Sequence, residues 1–254
     1  MSEAQVARLR AVEAAYRSGD PQYPALRDAA ATDPVLANWL VRMFIRDVFA
    51  VREGRPLGKD EDLLRAAARI QDPVEARALA EIQSLGLTAV PVVVGDLLRH
   101  EQPQPRELGI ELIGRIGAVA VPALQDLARD GEPRHRRAAA RALGAVGQGA
   151  AGLEVLRELA GDQEYTVRAD AVRSLRQGGV DARSLLIDRL RSDPDPFVRR
   201  VAAQSLAGFP GAASAQALID HLERCKHEGD FAGQRTPDAW RAYAQGLTDS
   251  EPGR

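Results

Sequence analysis

The sequence predicts an all-α fold, a right-handed α-solenoid (superhelix) of about six to seven helical pairs. Four segments align without gaps: Arg106–Gly114, Arg136–Gly144, Arg168–Arg176 and Arg199–Ala207, their leading arginines 30, 32 and 31 residues apart. A fixed period of this length marks stacked repeats. Within the segments, offset three is always small (Gly109, Ala139, Ala171, Ala202). Offset four is apolar (Ile110, Ala140, Val172, Ala203), and so is offset seven (Ile113, Leu143, Leu175, Leu206). Those offsets form one helical stripe, and the small column lets a neighbouring helix approach closely. A different helix precedes each segment. Val121-Pro122-Ala123-Leu124 has relatives at Val90-Pro91 and Tyr23-Pro24-Ala25-Leu26, and Leu186-Ile187-Asp188-Arg189-Leu190 returns 32 residues later as Leu218-Ile219-Asp220-His221-Leu222. Proline suits a first helical turn, where its missing N–H costs nothing.

Three regions follow in order. Residues 1–59 hold a polar leading helix at 3–18, a degenerate first repeat from Tyr23 to Phe49, and a loop, Gly54 to Lys59. The second helix of that repeat starts after Asp33-Pro34 and is rich in Val35, Leu36, Trp39, Leu40, Met43, Phe44, Val48 and Phe49. Such a stripe is either core or a docking surface. Residues 60–211 form the repeat array. Its first member, Asp60 to Gly86, turns at Gln71-Asp72-Pro73, and its Arg77 stands one place out of register. Gly117, Gly147 and Gly178-Gly179 read as helix stops. Residues 212–254 form a degenerate C-terminal cap: a first-type helix at 213–224, an inserted loop Cys225–Arg235, a closing segment 237–247 with Trp240 and Tyr243, and a polar tail. Terminal repeats have one face toward water and are expected to be atypical.

Each turn has a signature. Asp130, Asp162 and Asp193 lie six residues before a column arginine, while His100 occupies the same place before Arg106. An aspartate there can cap the second helix or reach the neighbouring repeat. A pairing of this Asp with an Arg is expected to hold the scaffold together, because arginine that is even partly buried needs a partner.

The pattern resembles the HEAT repeat family in its short bacterial form, the HEAT-like or phycobilisome-lyase-like repeats. The resemblance rests on Asp195-Pro196-Phe197-Val198-Arg199, on Tyr165-Thr166-Val167-Arg168 and on endings such as Ala142-Leu143-Gly144, and it is strongest over residues 87–211. It implies helical pairs whose second helices line a concave face.

Composition excludes several classes. Aromatic residues make up 4% of the chain, too few for a β-sandwich or barrel. A net charge of -2 disfavours a general nucleic-acid binder. One cysteine, Cys225, allows neither an internal disulfide nor a cysteine-based zinc cluster. Of 34 basic residues only Lys59 and Lys226 are lysine. The richness in Ala, Arg and Gly is what the codons of a GC-rich genome favour. No run of 18 consecutive apolar residues is present, and Met1 to Arg10 lacks the apolar core and cleavage site of a secretory signal. A cytoplasmic protein is expected.

No catalytic constellation emerges: no Gly-rich phosphate loop, Walker motif or Ser-His-Asp arrangement is found. Deoxyhypusine hydroxylase, a HEAT-like enzyme, holds two irons with His-Glu pairs directly after the column arginine. Here those places carry Glu107-Leu108, Arg137-Ala138, Ala169-Asp170 and Arg200-Val201, and the pairs His100-Glu101 and His227-Glu228 fall in turns. No metal and no cofactor are therefore expected. Bilin lyases and HEAT-like alkyl-base DNA glycosylases share the repeat type, but no tetrapyrrole pocket is specified, and the four aligned segments carry no aromatic residue for a flipped base.

What remains is the surface. Offsets one and five point away from the core stripe. They read Glu107 and Glu111, Arg137 and Arg141, Ala169 and Arg173, then Arg200 and Gln204, with Arg176 at offset eight. Glu107, Glu111, Arg137, Arg141, Arg173, Arg176 and Arg200 are thus the candidate protein-binding residues of a concave groove that begins acidic and becomes basic. The expected function is that of a non-catalytic scaffold or adaptor, monomeric, binding a protein partner or its acidic segment. A HEAT-like enzyme and a nucleic-acid binder are the alternatives. Reversal of Arg141 and Arg173 to glutamate is expected to leave folding intact.

Overall fold

The computed structural model describes residues 1–53, 72–147, 149–178 and 180–228, apart from the side chains of residues 53, 177, 180 and 225–228. The loop Gly54–Lys59, most of the first half of the Asp60–Gly86 repeat, the side chains of Cys225 and His227-Glu228, and Trp240 and Tyr243 lie outside the described residues. Among the described residues the structure is helical, with no strand, and the architecture is an all-α solenoid of paired helices. The chain divides into two compact units, Met1–Ala123 and Leu124–Arg254.

The N-terminal unit contains α1 (Glu3–Ser18), α2 (Tyr23–Ala31), α3 (Pro34–Glu53), α4 (Pro73–Leu85), α5 (Val90–Val92, continuing through a π-type turn over Val93–Leu98) and α6 (Pro103–Ile116). Local chemistry sets the starts. Ser2 and Gln5 form a reciprocal capping box on α1. Asp72 accepts the Val74 and Glu75 N–H groups at α4, with Pro73 in the first turn. Leu36, Leu40, Phe44 and Val48 are fully buried, so most of the stripe on α3 is core, while Val35 at its start is exposed.

Tyr16 packs its ring 5.3 Å from Tyr23 and 5.2 Å from Phe44, centroid to centroid. The Arg77 guanidinium lies 4.1 Å above Tyr16 and 5.5 Å from Tyr23. Arg77 is out of the column because it serves this aromatic cluster instead. Burial pushes both tyrosine hydroxyls above their ordinary range, with the neighbouring Glu81 adding to the shift at Tyr23. The small column is explained at Gly109: a Cβ there would stand 2.9 Å from Leu97 Cβ and 2.9 Å from Leu98 Cδ2.

Counting consecutive apolar residues overlooks one stretch. Pro73–Leu98 is long and apolar enough, by length and average composition, to cross a membrane. Of its apolar members, Ala78, Leu79, Ile82, Val90, Val93 and Leu98 are buried within the unit, while Val74 and Leu87 are exposed. The chain also leaves helical geometry at Gly86, where φ is 51° and ψ is -122°. Gly86, Gly117 and Gly147 recur at the repeat period, each with positive φ and each ending a second helix. Residues with a Cβ rarely adopt that backbone.

The C-terminal unit starts within α7 (Val121–Ala128). It continues through α8 (Pro133–Val146), α9 (Ala150–Leu159), α10 (Tyr165–Ser174, extended by a 3-10 turn Leu175–Gln177), α11 (Val180–Ser192), α12 (Pro196–Leu206) and α13 (Ala212–Glu228). The second helices α8, α10 and α12 pack side by side in succession, with α9 and α11 behind them. Ala139, Ala171 and Ala202 are fully buried between them, and Leu143, Leu175 and Leu206 fill the stripe.

Two of the turn aspartates are connectors between repeats. Asp162 takes both forks of Arg136 from the preceding repeat, at 2.7 and 2.9 Å. Asp193 takes both forks of Arg168, at 2.9 and 3.0 Å, in a pair whose acid is wholly buried. Each arginine also donates to two carbonyls of its own turn: Arg136 to Asp130 and Gly131, Arg168 to Asp162 and Gln163, Arg199 to Asp193 and Pro194. The same aspartates accept the N–H two residues on, in Glu132, Glu164 and Asp195. All three are turn-formers, and Asp162 and Asp193 are also inter-repeat links, while Asp130 meets His135 Nδ1 of its own repeat at 2.9 Å. The capping acid of α12 is Asp195. In the N-terminal unit His100 Nδ1 accepts the Gln102 N–H at 3.1 Å, and Arg106 donates to the His100 and Glu101 carbonyls. This histidine therefore takes over the aspartate's turn-forming bond.

Candidate functional site

On α8, α10 and α12 every residue advances ~100° around the axis, and offsets one, five and eight fall on one face. Arg137, Arg173, Arg176 and Arg200 are exposed there, and Arg141 is half-buried. Sequence spacing missed what organises them. Asp170 on α10, 4% exposed, accepts Arg137 Nε at 2.8 Å across the repeat and Arg173 Nη1 at 2.7 Å along its own helix. One buried carboxylate thus holds two half-exposed guanidiniums, and the trio keeps a net charge of about +1. Its position carried a signal: offset two is Leu108, Ala138 and Val201 in the other segments, and an acid stands there only at Asp170.

This contact corrects one expectation. Arg173 is not a freely solvated side chain, so reversing it to glutamate would set a second carboxylate beside a buried one. Such a change would cost stability.

A second feature lies one turn earlier. The helices begin before the aligned segments, and their first turns bring Tyr165 and Phe197 together, ring centroids 6.2 Å apart at 89°. The rings are 45% and 36% exposed. Arg200 places its guanidinium 5.1 Å above the Phe197 ring. The second helices are therefore not free of aromatic residues. The two rings were legible as Tyr165-Thr166-Val167-Arg168 and Asp195-Pro196-Phe197, but as turn motifs rather than as a contact.

The acidic candidates lie in the N-terminal unit. Glu111 is held by Arg52 at 2.9 Å and by Arg115 at 3.2 Å. Arg52 also binds buried Glu75 at 2.7 Å. Glu111 is therefore part of a paired network and not an open acidic surface, while Glu107 is exposed. Among the described residues, no three His, Cys, Asp or Glu side chains converge as metal ligands would.

Stacked helical pairs with buried inter-repeat ion pairs and an open side-chain face define a helical-repeat protein. A sequence profile of HEAT repeats matches residues 90–176 and again residues 155–229, more than half of the chain. The chain belongs to the HEAT repeat family. No curated protein matches it. Among solved structures, an engineered protein crystallised by the Northeast Structural Genomics Consortium is similar at 18% identity over 76% of this chain and 98% of that one, with a TM-score of 0.42.

Proposed function

We propose that this protein is a non-catalytic scaffold or adaptor that binds an acidic segment of a protein partner on the face made by α8, α10 and α12. The observation that carries this reading is the arginine set on three successive second helices, two of whose members, Arg137 and Arg173, are anchored by Asp170. Stacked repeats present a long, rigid surface, and rigid presentation lowers the ordering cost when an extended partner binds. Arginine at fixed positions suits carboxylates, because its planar fork can bind them bidentately. The monomer serves as the binding unit. The small net charge argues against DNA as the ligand.

The test is affinity capture from an extract of the native cell, with the partner identified by mass spectrometry. Arg176→Glu with Arg200→Glu should leave folding intact, since neither side chain holds Asp170, and should abolish capture. Arg157→Glu, an exposed change on α9, should not. Loss with Arg157→Glu alone, or capture of nucleic acid that falls steeply with salt, would overturn the reading.

A further inference from the structure

We propose that the face of the C-terminal unit is a two-point receptor for an extended peptide carrying an aromatic residue about three positions from an aspartate or glutamate. This rests on the protein-binding reading above and narrows its partner. The first point is the arginine pair. Arg137 and Arg173 each commit part of their fork to Asp170, and their side chains remain 46% and 52% exposed. Their geometry is set in advance by a buried acid, so little rotamer freedom is lost on binding. Two guanidiniums facing one carboxylate lack one negative charge, and an incoming carboxylate supplies it.

The second point is the ring pair. Tyr165 and Phe197 meet edge to face and stay partly exposed, with Arg200 over Phe197. They are the exposed aromatic rings among the large hydrophobic side chains described. A third ring completes such an arrangement through offset or edge contacts.

The spacing follows from the helix. Tyr165 precedes Asp170 by five residues and Arg173 by eight. At ~1.5 Å per residue this is about 8–12 Å along the axis. An extended chain advances ~3.3 Å per residue, so about three residues bridge the two points.

The experiment pans a phage-displayed random peptide library on the full chain at low salt. The enriched consensus is then titrated by fluorescence polarisation. The expected consensus pairs an aromatic residue with an acid about three residues apart. Its affinity should fall about tenfold with Tyr165→Ala and Phe197→Ala together, and Arg137→Gln with Arg173→Gln should erase its acid preference. Replacing the aromatic residue in the peptide itself should give the same loss, which keeps the test valid if a protein variant folds poorly. An acidic consensus with no aromatic, indifferent to the ring variants, overturns this inference and leaves the protein-binding reading standing. A consensus with no acid overturns both.

Discussion

The two units solve the same stacking problem with different chemistry. In the C-terminal unit one device is copied: an arginine ties its own turn and the next repeat's aspartate, as at Arg136–Asp162 and Arg168–Asp193. In the N-terminal unit the links are individual. Arg17 binds Asp47, Arg27 binds Glu81, Arg52 joins Glu75 to Glu111, and Arg77 caps the Tyr16–Tyr23–Phe44 cluster. Repetition places the same geometry at every interface and leaves the outward face free to vary. The individual solution encloses Tyr16, Tyr23 and Phe44, whereas Tyr165 and Phe197 of the C-terminal unit reach the surface.

The sharpest way to break this contrast is to remove one acid from each unit. Asp193→Ala strands Arg168, whose side chain is only 9% exposed, and should cost about 3–5 kcal/mol. Asp47→Ala frees Arg17, whose side chain is 43% exposed and can turn to water. Its cost should be smaller, about 1–3 kcal/mol. Chemical denaturation of the full chain measures both. Equal losses would mean that the ladder is no more than a set of ordinary pairs.

The repeat stripe offers the next test. Leu175 is fully buried beside α8 and α12, and Leu175→Ala should cost about 2–5 kcal/mol. An unchanged thermal midpoint would show that the stripe at offset seven does not carry the packing between repeats.

What the sequence revealed follows the same division. Where the period is kept, residue identity fixes position: Leu143 and Leu175 are buried, the small column sits between helices, and the turn acids Asp162 and Asp193 meet column arginines. Offset arithmetic also placed Arg137, Arg173 and Arg200 on an exposed face. It could not show that Arg137 reaches 33 residues ahead to Asp170, because that pairing depends on how far apart the stacked helices stand. Where the period decays, residue type alone was ambiguous. The α3 stripe could have been core or surface until Leu36, Leu40 and Phe44 were found wholly enclosed. Arg77 looked like a register error because its role lies in a cation–π contact with α1, and no repeat pattern encodes that contact.

The smallest expected effect isolates charge from shape in the ladder. Burial tends to raise the Asp162 carboxyl, but the Arg136 fork and the Glu164 N–H outweigh it, and its pKa lies below the ordinary 3.8. A carboxylate depressed in the folded state contributes stability above its unfolded pKa and loses it as pH falls through the folded value. Asp162→Asn keeps the shape and can still accept the Glu164 N–H, yet carries no charge to lose. Wild type should therefore exceed the variant in stability near neutral pH, and the gap should close as pH drops from about 5 toward about 2. Urea denaturation at successive pH values reads this directly. A gap that stays constant below pH ~4 would assign the contribution of Asp162 to hydrogen bonding alone, and the ladder would then be held by geometry rather than by charge.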